Sequence, residues 1–158
     1  MSMKHVLAMA FATAVILPFT ARAQGKTDFS GTWTLDAARS DAPQGRGGRG
    51  GGGTGPVTIT QDATTITIKR GEQTLSYKLG GSESTNQVTG RGGVQEVKSK
   101  ARLEGGKLIV ESTRDFQGMS ITTKETRSLS ADGKEMTVET AIAAPQGEMN
   151  NKQVFTKS

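Results

Sequence analysis

From Gly31 to Ser158 apolar residues recur at every second position, in short runs separated by turn residues, and never at helical spacing. Alternation puts one apolar face on each run, as in a half-buried strand. The expected strands are Thr32–Asp36, Val57–Gln61, Thr64–Arg70, a run through Leu75, Tyr77 and Leu79, a weak run near Asn86–Thr89, Val97–Glu104, Lys107–Phe116, Ser120–Ser130, Glu135–Ala143 and Met149–Lys157. Gly71-Glu72-Gln73, Gly90 to Gly93, Gly105-Gly106, Gln117-Gly118 and Pro145-Gln146-Gly147 supply turns, and Asp132-Gly133 is a two-residue hairpin signal. Ala37 to Ser40 has room for one helical turn. Short connections make sequence neighbours pair antiparallel. The expectation is an all-β, antiparallel up-and-down barrel of about eight to ten strands, since closure removes exposed edges. A sandwich of two sheets is the competing architecture.

The core of such a barrel must stand on apolar contacts. The chain has no cysteine, so no disulfide can brace it. Beyond residue 23 the aromatics are Phe29, Trp33, Tyr77, Phe116 and Phe155. Valine, isoleucine, leucine and many threonines fill the strands. Few large side chains and many threonines imply a thin core or a partly polar interior.

The N-terminus reads differently. Lys4 and His5 give a basic start, Val6 to Phe19 is mostly apolar, and Ala21-Arg22-Ala23 puts small residues at a cleavage site. That layout is a signal peptide over 1–23, too short for the ~20 residues of a spanning helix. Cleavage leaves 24–158 as one domain, without histidine, and lowers the formal charge from +5 to +3 by removing Lys4 and Arg22. The chain is then periplasmic or secreted. Interspersed charges of both signs predict solubility rather than a polyanion partner.

Residues 41–55 are low in complexity, and Gln44 to Gly55 holds eight glycines with Arg46 and Arg49. Glycine offers nothing to bury and loses most entropy on ordering, so a flexible loop is expected. Its two Arg-Gly-Gly copies lack the aromatic platforms of single-strand binding, and no nucleic acid is expected.

Asp28-Phe29-Ser30-Gly31-Thr32-Trp33-Thr34-Leu35-Asp36 resembles the opening strand of lipocalins and fatty-acid-binding proteins, in which Gly-x-Trp closes one barrel end. Lys152 to Ser158 is similar to the last strand of the latter. With Leu129 to Lys134 and Pro145 to Glu148, the whole of 24–158 resembles a group of exported bacterial lipocalin-like (calycin-type) proteins. The resemblance implies a lipocalin-like barrel with Gly31 and Trp33 structural. It implies no ligand class. The Arg-x-Tyr that grips a carboxylate in fatty-acid-binding proteins is met here by Gln153-x-Phe155, the helical lid has no counterpart, and no arginine follows Arg127 to pack on the tryptophan.

Candidate contacts follow from strand parity. Trp33 plugs the core or stacks on a ligand; a buried indole needs a partner for its N–H. Arg114 shares parity with Leu108, Val110 and Phe116, and Glu125 and Arg127 share it with Leu129. If the apolar residues face inward, so do the charges, as a lumenal network or a grip on an anionic head. One residue of slip would reverse the face, and a place near the mouth would leave them in water. Leu75, Tyr77, Phe116, Met136 and Val138 form the apolar lining. Without cysteine or a retained histidine, ordinary triads and Cys- or His-containing zinc sites are excluded. Neither enzymatic activity, nor a cofactor, nor a metal is expected. The reading is an exported monomer holding a small, partly apolar molecule in its lumen. The alternative is an envelope interaction protein with a filled barrel, binding through its surface and Gly-rich loop.

Overall fold

Glycines at the expected turns take the backbone where other residues are strained. Gly105 and Gly106 have φ of 56° and 78°, the pair of positive angles that a tight hairpin requires. The computed structural model describes residues 27–41, 55–90, 93–116 and 118–158, the side chain of Phe116 excepted. The expected signal peptide and most of the Gly-rich segment lie outside the described residues.

The described chain is all β, with ten strands: β1 (Gly31–Leu35), β2 (Val57–Gln61), β3 (Thr65–Arg70), β4 (Gln73–Lys78), β5 (Gly80–Gly90), β6 (Gly93–Glu104), β7 (Lys107–Phe116), β8 (Met119–Leu129), β9 (Glu135–Ala144) and β10 (Gly147–Lys157). Their order is β4-β3-β2-β1-β10-β9-β8-β7-β6-β5, every neighbour antiparallel. The first and last strands pair, and the sheet curls until β4 meets β5. This is a nearly closed barrel rather than a sandwich.

The closing seam has no ladder. The Ser76 amide donates to Asn86 Oδ1 (2.8 Å), Asn86 Nδ2 donates to the Ser76 carbonyl (3.0 Å), and the Lys78 amide donates to Ser84 Oγ (2.9 Å). Two buried side chains on β5 thus stand in for main-chain partners on β4.

Segment 27–30 and Trp33 close one end. Trp33 is fully buried and donates its indole N–H to the Phe29 carbonyl (3.0 Å). The Phe29 amide donates to Gln61 Oε1, and Gln61 Nε2 donates to the Thr27 carbonyl. Lys157 brings its ammonium 5.3 Å from the centre of the Trp33 ring. A basic residue therefore does pack on this tryptophan: although no arginine follows Arg127, Lys157 of the last strand lies over the ring. Gly31, at φ 143°, makes room for it, because a Cβ there would lie 2.5 Å from Lys157 Cε. Phe29, Trp33, Ile59, Ile66, Leu108, Met136 and Phe155 are fully buried and belong to one core cluster.

Two local expectations need correction. Asp132-Gly133 is not a two-residue hairpin. Residues 130–134 form a longer loop, in which Ser130 Oγ donates to Asp132 Oδ1 and accepts from the Glu135 amide. Asp132 spends its carboxylate on the loop, accepting from the Lys134 amide as well. The weak run near Asn86–Thr89 is in fact the eleven-residue β5.

Candidate functional site

Antiparallel register fixes which inward side chains share a level of the barrel. On β8, Leu129, Arg127, Glu125, Thr123 and Ile121 face inward. Leu129 pairs with Met136, Arg127 with Leu108 and Val138, Glu125 with Val110 and Thr140, and Thr123 with Ser112 and Ile142. The apolar plug therefore gives way, one step up, to a guanidinium and then a carboxylate.

Arg127 is 6% exposed. Its Nε and Nη2 both donate to Glu125 Oε1 at 2.7 Å. Its Nη1 is buried with no hydrogen-bond partner among the described residues. A charged donor in that state costs more than an ordinary polar group, so it is poised for an acceptor. Glu125 keeps about a quarter of its side chain exposed.

Two further residues belong here. Tyr77 is buried on β4. Burial, and secondarily the charge of Glu125, push its phenol well above the ordinary range, while Arg127 pulls it down. Arg70, at the end of β3, stacks over the Phe155 ring at 5.6 Å. Burial, followed by the like charge of Arg127, lowers its pKa, and Glu125 opposes that. Among the described residues, Arg70, Tyr77, Glu125 and Arg127 thus come within electrostatic reach of one another. Sequence reasoning missed Arg70, although it shares parity with Ile66 and Ile68, the rule that singled out Arg127.

The other expected residues divide. Leu75 packs against the core at the level of Ile68 and Ile59. Met136 and Val138 are inward and buried beside the plug. Arg114 faces inward but pairs with Ile121, six residues along β7 from Leu108. At ~3.4 Å per residue that is about 20 Å from the level of Arg127. Arg114 therefore stands at a different level of the barrel from Arg127, because parity sets the face but register sets the level. The Phe116 side chain lies outside the described part.

Outside the barrel, a groove of ≈ 370 Å³ runs past Asp41, Lys124, Thr126, Glu139, Ala141 and Lys152. Its charges have both signs and select no ligand. Among the described residues no group of acids or histidines could hold a metal, and no helix is long and apolar enough to cross a membrane.

No family profile matches the chain, and no curated protein matches it in sequence. Solved structures do match. The zebrafish ileal bile acid-binding protein, complexed with cholic acid, has a TM-score of 0.55 at 18% identity, over 82% of this chain and 98% of that one. Lipid binding protein 8 of Caenorhabditis elegans, in its apo form, has a TM-score of 0.55 at 14% identity, over 82% of this chain and 95% of that one. An abundant heat soluble (SAHS) protein from Ramazzottius varieornatus has a TM-score of 0.55 at 18% identity, over 85% of this chain and 97% of that one. Likeness at such identity concerns the fold: this chain is built as a lipocalin- and fatty-acid-binding-protein-like barrel.

Proposed function

We propose that the protein is an exported bacterial carrier that holds a small, partly apolar acid inside its barrel and acts by binding alone. The carrying observation is Arg127: nine-tenths buried, held by Glu125, with Nη1 left without an acceptor among the described residues. A carboxylate placed there would receive a charge-assisted hydrogen bond in a shielded site, with Arg70 adding field. Apolar side chains such as Leu75, partly buried against the core, would supply affinity. The reading draws support from the similar barrels, two of which are named for binding bile acid and lipid. Export rests on the layout of 1–23, and N-terminal sequencing of protein recovered from cells should begin at Gln24.

The functional test is a titration of mature protein with a fluorescent fatty acid and with the matching fatty alcohol. The acid should bind about tenfold or more tightly, the equivalent of one charge-assisted hydrogen bond. Arg127→Met should erase the difference. Equal affinity for acid and alcohol in the unmutated protein would defeat the assignment of Arg127, and binding of neither would defeat the carrier reading.

A further inference from the structure

The Glu125 carboxylate is bonded on one side only. Arg127 gives both Nε and Nη2 to the same oxygen, Oε1, and Oε2 accepts no hydrogen bond among the described residues. The cross-strand neighbours of Glu125 are Val110 and Thr140, and neither bonds it. An ionised carboxylate accepts at both oxygens, so Oε2 keeps its lone pairs for a donor. Arg127 falls short in the opposite sense, since its Nη1 is buried without an acceptor among the described residues.

Tyr77 completes the set. It is buried and makes no hydrogen bond among the described residues. It lies within electrostatic reach of Glu125 and Arg127. Burial, the larger cause, raises its pKa, so at neutral pH the phenol is protonated and can donate. The site thus presents a donor at Arg127, an acceptor at Glu125 and a second donor at Tyr77. An unmodified fatty acid or sterol acid answers only the first. Its head group holds acceptors alone, and its charge would stand beside Oε2, where like charges repel.

Resting on the carrier reading above, we infer that the ligand is an N-acylated amino acid and that Glu125 selects it. The carboxylate of such a head accepts from Arg127 Nη1, its amide N–H donates to Glu125 Oε2, and its amide carbonyl accepts from the Tyr77 hydroxyl. Acceptor, donor and acceptor on the ligand meet donor, acceptor and donor on the protein. The acyl chain lies against apolar side chains such as Leu75. Discrimination comes from Oε2: a ligand without the N–H covers that oxygen and leaves it unpaired.

Calorimetry on the mature chain compares three ligands of similar length: N-myristoylglycine, N-myristoylsarcosine, in which a methyl replaces the amide hydrogen, and palmitic acid. N-myristoylglycine should bind about tenfold tighter than either, the worth of one charge-assisted hydrogen bond. Glu125→Gln keeps an acceptor but loses the charge, so the preference over the N-methyl analogue should fall to about threefold. Tyr77→Phe should weaken both amides by about threefold to tenfold and leave palmitic acid unchanged, and it serves alone if Glu125→Gln does not fold. Equal affinity for the two amides, tighter binding of palmitic acid, or a preference undiminished by Glu125→Gln overturns this inference and leaves the carrier reading standing. Binding of none of the three overturns both.

Discussion

Arg127→Met separates a binding residue from a structural one. Methionine follows much of the arginine stem, so packing changes little. Removing the guanidinium abolishes a buried Nη1 that has no hydrogen-bond partner among the described residues, a burial that costs about 1–3 kcal/mol. It also removes the like charge facing Arg70. Against this stand the two bonds to Glu125 Oε1. Glu125 remains more than a quarter exposed, so solvent can take over that carboxylate and the loss is about 1 kcal/mol. The balance predicts a ligand-free variant as stable as the original chain, or up to about 2 kcal/mol more stable. Urea unfolding followed by the fluorescence of Trp33, the single tryptophan, reads this directly. A loss of about 3 kcal/mol or more, as when a buried ion pair is broken, would refute the reasoning and make Arg127 part of the scaffold.

Gly31→Ala should cost about 2–4 kcal/mol, from a positive φ and from driving Lys157 off Trp33; the cost should shrink in a Lys157→Ala background, and additivity in that double-mutant cycle would contradict the account. Asn86→Ala strips both backbone partners from Ser76 and should cost about 1–3 kcal/mol, with faster hydrogen exchange at the Ser76 amide than in the ladders; unchanged exchange would show a seam held by something else. Tyr77 is the only tyrosine, so tyrosinate absorbance follows it alone. Its folded pKa is raised above the unfolded value near 10, so above about pH 10 the unfolded chain has lost a proton that the folded chain keeps. Stability should therefore be complete below pH ~10 and fall as pH rises beyond it, a slope that Tyr77→Phe removes; a pH-independent stability up to ~12 would contradict the burial of the phenol.

The architecture was legible because most strands alternate visibly and glycines mark their ends. Where that failed, the inward residues were polar. β5 looked weak since Ser84 and Asn86, its buried positions, serve the seam instead of the core. The site was half legible for a related reason. Parity identified Arg127 and Glu125 as inward, but the level of each side chain depends on register, which turn lengths set and composition does not reveal. Hence Arg114 was grouped with Arg127, whose level is about 20 Å away along the strand, and with Glu125, whose level is about 14 Å away. Arg70, at the end of β3, went unnoticed among turn residues. Lys157 on Trp33 went unnoticed because only an arginine was sought as its cation.

Native mass spectrometry of the protein recovered from its own cells tests the central claim most directly. The account predicts an adduct of defined mass, bearing an acid group, that is absent from Arg127→Met prepared in the same way. A bare mass for the unmutated chain under gentle conditions, or an adduct equally present in the variant, would contradict it.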